Sequence, residues 1–382
     1  MSIYAPPLGR RCWAEIDLAA LERNLHKIRS ALPPGVSYVS VVKADAYGHG
    51  YQQTVTRLMQ AGADLFAVAN VTEARQIEEI GSGWPILILS PVLPDELSEI
   101  ADHDWMVTVS SASEVDRLSR LARERGRPVQ IHLKIDTGMG RLGIWYEQAD
   151  ALYHHIQQSP GVDLRGVFTH FSSADSDLDY THLQRERMLQ LIKRLDLQPS
   201  DKMMLHADNS AALSSFLNPG PFNAVRIGLL QFGIEPKTSA AIGHVRVEPV
   251  FSFHTRVSLV KRLPAGTPIS YGGTVRLKAN SRVALLAAGY ADGIPFPGTG
   301  GGHVLIDGTH CPILGRVTMD QTVVDVSHLN NVNAGDPAVL IGHQQKQKIS
   351  LEEFSLQGNT IPWESLTSIT KRVDRIYRTA KL

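Results

Sequence analysis

The chain has 382 residues, with 38 Lys and Arg set against 38 Asp and Glu, and 43% of its residues are hydrophobic. That length exceeds one small core and favours two domains, with room for a large barrel in one of them. Balanced charge without a long single-sign block excludes nucleic acid and an anionic membrane as expected partners, and the two cysteines, Cys12 and Cys311, frame neither a disulfide set nor a zinc site.

The opening MSIYAPPLGRRCWAEIDL has no apolar core of the signal-peptide kind, and nowhere do 18 uncharged apolar residues run together. A cytoplasmic protein without a membrane span is the expectation. Trp13-Ala14-Glu15-Ile16 reads as a short strand, and Asp17 as the cap of an amphipathic helix carrying Leu18, Leu21, Leu25 and Ile28.

Next comes VVKADAYGHG, residues 41–50. The run Ser37 to Val42 is short, β-branched and bounded by Pro33-Pro34-Gly35 and Gly48-His49-Gly50, which predicts a buried strand with Lys43 at its carboxyl end. Lysine is ordinarily a hydrated surface charge. One partly desolvated at a strand end can have a lowered pKa, and a neutral amine is what a Schiff base requires. Tyr47 can bring its hydroxyl to the same space, and Gly48 and Gly50 would let backbone approach a ligand.

The strand signal then recurs at residues 37–43, 65–69, 86–89, 106–109, 130–135, 164–169, 203–206 and 224–228, with helical patterning in most of the gaps. Eight strands alternating with helices predict a parallel (β/α)₈ barrel of the TIM type over residues 1–240. Reactive residues gather where those strands end: Lys43, the Lys134 to Arg141 stretch, Thr169-His170, His206 to Ser210 and Arg226 to Leu229. In a barrel of this type the strands' carboxyl ends are where active sites form.

From about Ile242 the pattern turns to short β runs with turn signals at Tyr271-Gly272-Gly273, Asp292-Gly293 and Asp307-Gly308, which predicts a mostly-β domain over residues 241–382. The linker is expected near Pro236 to Gly243, and Thr360 to Tyr377 is expected to return as closing strand. Gly298 to Gly302 neither follows a strand nor opens a helix and reads as a loop.

These blocks together resemble the alanine racemases over nearly the whole chain. VVKADAYGHG is similar to the segment whose lysine binds pyridoxal 5'-phosphate, and KIDTGMGRLG, GVFTHFSSAD, HADNSA, VRIGL, ISYGGT, GYADGIP and GRVTMDQ follow in the family's order. The resemblance implies that Lys43 carries the cofactor and acts as a base on one face of the substrate's α-carbon. It implies that Tyr271 serves the opposite face from a partner chain, so that an active homodimer is expected. A tyrosine hydroxyl titrates near 10 in water, so this role needs a neighbour that stabilises the phenolate or a proton relay.

Arg226 matches the residue facing the pyridine nitrogen, where it donates without giving up its proton. The resemblance further implies that His170 packs by the ring and that Tyr47, Asn209, Ser210, Gly228 and Leu229 belong to the cofactor site, with the phosphate held by neutral donors. Arg141 and Met319 would meet the substrate carboxylate, Tyr290 would narrow the entrance, and Lys134 matches a lysine often carbamylated; no metal is expected.

Trp363 departs from the family's tyrosine near the phosphate; Thr318 stands where a cysteine or another small residue is common and Phe232 replaces the tyrosine of a Tyr-Gly pair, both read as packing variants. An indole is larger than a phenol and only donates. Substrate preference is therefore open between alanine on one side and serine or a broader set on the other. A non-catalytic carrier of pyridoxal phosphate is the reading from another class, and Tyr271 together with the long β pattern argues against it. A barrel decarboxylase would want an acid where Arg226 stands.

Overall fold

In the computed structural model the described residues are 9–213, 219–236, 245–296 and 301–379. The expected linker from residue 237 onward, and the glycine-rich loop up to residue 300, lie outside them. The chain divides into two compact units. One comprises Leu21–Ala46 and Tyr51–Glu248; the other gathers the chain up to Ala20, Tyr47–Gly50 and the chain from Pro249.

The first unit is a closed parallel barrel. Its strands are Ser37–Val41, Leu65–Val68, Ile86–Ile88, Met106–Val109, Val129–Asp136, Val162–Phe168, Met204–Asn209 and Ala224–Ile227, each where the sequence pattern predicts one. Consecutive strands pair in parallel, and the ring closes when Ala224 pairs with Ser37. Strands covered on both faces read as nearly continuous apolar runs; Leu65–Val68 and Ile86–Ile88 are apolar and buried at every position, while Met106–Val109 and Ala224–Ile227, equally buried, carry Thr108 and Arg226.

Helices Tyr51–Ala61, Val71–Ile80, Leu97–Asp102, Ala112–Arg125, Ala149–Gln157 and Leu178–Arg194 occupy the gaps. Short polar side chains start them, because the first N–H groups of a helix lack partners within it: Asn70 Oδ1 accepts from Glu73 N–H at 2.9 Å and Asp177 Oδ1 from Tyr180 N–H at 2.9 Å. The cap read at Asp17 is present too, with Ala20 N–H donating to its Oδ1 at 2.8 Å ahead of helix Leu18–Ser30. No helix among the described residues is long and apolar enough to cross a membrane.

The second unit is mostly strand and is organised on Phe251–Leu263, which pairs antiparallel with Cys12–Asp17, Ser281–Leu286 and Pro337–Gln344. Phe253 is fully buried and meets Phe354 edge to face, with ring centroids 6.2 Å apart. Two elements differ from the sequence reading. The strand Cys12–Asp17 belongs to this unit, lying between Phe251–Leu263 and the parallel strand Asp374–Arg378. Within Thr360 to Tyr377, residues Pro362–Ser368 form a helix, with Pro362 in the first turn where its missing N–H costs nothing. Only Asp374–Arg378 is strand there.

Candidate active site

Lys43 follows the first barrel strand, at the carboxyl end where its motif placed it, but the segment after it is not an ordinary turn. Ala44, Asp45, Ala46 and Tyr47 all take left-handed helical backbone, with φ of 55, 55, 53 and 54°. For L-residues that conformation costs roughly 1–2 kcal/mol each, so a run of four must be held by its surroundings. Ala46 N–H donates to Val42 O at 2.8 Å and Tyr51 N–H to Asp45 Oδ1 at 2.9 Å. Ala44 N–H donates to Glu73 Oε1 at 2.8 Å.

Gly48 and Gly50 serve packing, where the sequence suggested approach to a ligand. Both have positive φ, 78 and 89°, and a Cβ would strike the Leu366 carbonyl oxygen at one and the Tyr377 hydroxyl at the other. The motif's glycines thus fit the chain's own C-terminal segment, tied further by Tyr377 donating to His49 O at 3.0 Å.

Lys43 is half-buried. Burial first, and then the Arg141 guanidinium, push its amine below the ordinary 10.5, with Glu73 opposing. The folded chain therefore binds this proton more weakly than the unfolded chain does, and stability is lost as pH falls from 10.5 toward the folded value. The amine is also free to react at a pH where a surface lysine is charged. Attachment of an aldehyde to Lys43 should rise with pH through a midpoint below 10.5; a rate profile of pyridoxal phosphate uptake with its midpoint at the ordinary lysine value would contradict this.

Lys134 is 4% exposed on the fifth barrel strand, with Nζ 4.5 Å from the centre of the Phe168 ring. Burial, then Arg226 and Arg141, push its amine well below the ordinary value. Arg141 stands on the loop that follows, which Asp136 pins. Asp136 Oδ1 accepts from the N–H groups of Gly138, Met139 and Gly140 at 2.9, 2.8 and 3.2 Å.

Arg226, 4% exposed on the eighth strand, is fixed at both terminal nitrogens. NH1 reaches His206 Nδ1 at 2.9 Å, while NH2 reaches Thr169 O and Ala207 O at 2.8 Å each and His170 Nδ1 at 3.2 Å. Burial pushes its pKa down to about 10, against the Asp208 carboxylate, so it remains a cation at neutral pH. An arginine only donates, so Nδ1 of His206 and of His170 must accept. Burial and Arg226 hold both imidazoles neutral. His206 then carries its proton on Nε2 and donates to His132 Nδ1, 3.0 Å away, which leaves His132 with its own proton on Nε2. A directed chain of donors thus runs from Arg226 through the barrel interior. His132 was not singled out by the sequence reading; its only signal is a polar residue inside a buried strand.

Ser210 Oγ accepts from Gly228 N–H at 3.1 Å and from Leu230 N–H at 3.3 Å, so the ends of the seventh and eighth strands converge on one hydroxyl. Asn209 turns its carboxamide oxygen to Ala211 and Ala212 N–H, at 3.0 and 3.2 Å, and shapes the loop. The Asp208 carboxylate, fully buried beside them, is held by Arg185 at 3.0 Å.

The remaining predicted residues lie in the β unit. Tyr271 opens a 3₁₀ turn and is 72% exposed, Met319 is 53% exposed and Tyr290 41%. Backbone ties bring their loops together: Tyr290 N–H donates to Thr318 O at 3.0 Å, Ala291 N–H to Met319 O at 3.1 Å, and Ser270 Oγ to Arg316 O at 2.6 Å. Trp363 is half-buried in helix Pro362–Ser368, and Tyr47 is grouped with this unit.

Residues 16–236 match the alanine racemase N-terminal domain and residues 250–377 the alanine racemase C-terminal domain. The chain belongs to the alanine racemase family. An alanine racemase of Halothermothrix orenii is 37% identical over 372 residues, covering 97% of this chain and 98% of that protein; one of Methanococcus maripaludis is 36% identical over 367 residues, covering 96% and 98%. Among solved structures, the alanine racemase of E. faecalis superposes with a TM-score of 0.89 at 30% identity, covering 98% of this chain and all of that one. That of Bacillus anthracis gives 0.86 at 34% identity, covering 98% and 96%.

Members of this racemase family are isomerases that depend on pyridoxal phosphate. The barrel residues suit that cofactor on their own chemistry. Lys43 offers an amine with a depressed pKa. Arg226 offers a buried cation whose terminal nitrogens cannot swing away. Ser210, whose oxygen takes the N–H groups of Gly228 and Leu230, keeps its own hydroxyl proton as a neutral donor for a phosphate.

Proposed function

We propose that this racemase interconverts L- and D-alanine with pyridoxal 5'-phosphate, moving the α-proton between two bases on opposite faces of the substrate. The observation that carries the reading is the pairing of a depressed lysine amine at the end of the first strand with an arginine locked as a permanent donor at the end of the eighth. The chemistry supplied by bound pyridoxal phosphate is electron withdrawal from the substrate's α-carbon. Lys43 Nζ anchors the cofactor and then holds or returns the proton on one face. Arg226 donates to the pyridine nitrogen and keeps its proton, which limits withdrawal and favours simple proton return over loss of the carboxylate.

The partner subunit's Tyr271 supplies the hydroxyl on the other face. Support for a homodimer is the exposure of Tyr271, Met319 and Tyr290 on the β unit, with Phe296, itself 55% exposed, 5.9 Å from the Tyr290 ring. Arg141 and the Met319 backbone receive the substrate carboxylate, and Tyr290 narrows the entrance. His170 packs by its ring, while Tyr47, Asn209, Ser210, Gly228, Leu229 and Trp363 surround the phosphate. A cytoplasmic enzyme supplying D-alanine for cell-wall peptidoglycan is the cellular role that fits.

Lys134 is proposed to be carbamylated. A neutral buried amine reacts with carbon dioxide, and the anion formed would face Arg226 and Arg141, the two cations that disfavour the protonated amine. The folded protein equilibrated with carbon-13-labelled bicarbonate should show a carbamate carbon resonance that is absent from Lys134→Arg; no such resonance in the parent protein would refute it.

A second reading keeps the chemistry and changes the substrate to serine or a broader set, because Trp363 replaces a tyrosine. The test is incubation with L-alanine and with L-serine, the enantiomers being resolved by chiral chromatography. The expected result is fast formation of D-alanine with little D-serine. An alanine preference below about tenfold in kcat/KM, or about 1.4 kcal/mol, would defeat the first reading in favour of the second. Cofactor uptake without racemisation of either would point to a carrier.

A further inference from the structure

We infer that Glu73 is a positioning residue, whose carboxylate fixes the left-handed turn behind Lys43 by joining it to the end of the neighbouring strand. The inference rests on the reading of Lys43 as the cofactor lysine. Glu73 Oε1 accepts from the N–H of Ala44, the residue directly after Lys43, at 2.8 Å. Its Oε2 accepts from the N–H of Ala69, the residue directly after strand Leu65–Val68, at 2.7 Å. One carboxylate thus spans the ends of two adjacent barrel strands.

Glu73 is itself anchored. It lies in the first turn of helix Val71–Ile80, where its own N–H donates to Asn70 Oδ1 at 2.9 Å. Of the bonds that hold the turn, Ala46 N–H uses Val42 O and Asp45 uses Tyr51 N–H, while the N–H of Ala44 goes to Glu73. Only an ionised carboxylate on a side chain of this length can accept at both N–H groups. An amide would turn its NH₂ toward one of them, and aspartate is one methylene short. The charge has a second effect: Lys43 faces Arg141 from the loop after the fifth strand, His170 from the end of the sixth, and Glu73 from the helix, and Glu73 is the group that counters Arg141.

Reach and charge can therefore be separated by two variants. In Glu73→Gln, kcat should fall about tenfold or more with a smaller change in KM, as a misplaced reacting group does. The midpoint of the pH profile for pyridoxal phosphate uptake should also move further below that of the parent. In Glu73→Asp the charge stays and the midpoint with it, while kcat still falls. If Glu73→Gln does not fold, Glu73→Asp decides alone, and parent kcat in that variant overturns the inference. Lys43→Ala is run beside them: cofactor still attached in that variant sinks the reading of Lys43 itself. Loss of attachment there, with parent kcat and midpoint in Glu73→Gln, sinks only the role of Glu73.

Discussion

Lys43→Ala is expected to remove both racemisation and covalent uptake of pyridoxal phosphate, with activity down by about 10⁴-fold or more. General acid–base catalysis alone accounts for about 10²–10⁴-fold, and here the same amine is assigned the anchoring of the cofactor. The depressed pKa of Lys43 is what allows both tasks, since burial and Arg141 leave the amine neutral at a pH where surface lysines are not. The measurement is the visible absorbance of the purified, dialysed variant together with its rate. Arg226, Ser210 and the N–H groups beside it remain in the variant, so weak reversible binding should persist. A stable cofactor band in Lys43→Ala would assign the attachment to another amine, for which Lys134, the buried lysine among the described residues, is the candidate.

Tyr271→Phe should lower racemisation by about 10²–10⁴-fold, the range for one lost acid–base group. Because the two enantiomers are equal in energy, the forward and reverse rates fall together, and the informative quantity is exchange of the α-hydrogen with deuterated water. One enantiomer, the one whose proton faces Lys43, should still exchange without inverting, while exchange from the other is largely lost. Equal losses from both would count against a face-specific base. Mixing the inactive Lys43→Ala and Tyr271→Phe proteins tests where the tyrosine comes from. If the partner subunit's Tyr271 completes each site, a mixed dimer has one site with both groups intact and regains activity; if each chain uses its own, mixing restores nothing.

The parts of the fold that were legible in the sequence are those dictated by periodicity. Barrel strands are buried on both faces and so announce themselves as short apolar runs, and the helices between them carry their caps in the sequence, as Asn70 and Asp177 do. The gathering of Lys43, Arg141, His170, Ser210 and Arg226 at strand ends was legible for the same reason. The left-handed turn was not. Ala-Asp-Ala-Tyr contains no glycine and two of the strongest helix formers, and nothing local predicts positive φ at four successive residues. Its cause includes Glu73, about thirty residues away, and such a contact leaves no periodic trace. The same holds for Cys12–Asp17, whose apolar pattern states that it is buried but not against which strand. In Pro362–Ser368 the helix is too short for its period to stand out from the β runs around it.

The pairing of Cys12–Asp17 with Asp374–Arg378 joins a segment near the start of the chain to one near its end. A ribosome delivers all eight barrel strands between Cys12–Asp17 and Phe251–Leu263, so the first strand waits through the synthesis of the barrel for either neighbour. During that wait Cys12, Trp13, Ala14 and Ile16, all buried in the finished protein, present an apolar edge to other nascent chains. Until Asp374–Arg378 has been made, one edge of Cys12–Asp17 therefore stays unpaired even after Phe251–Leu263 has covered the other.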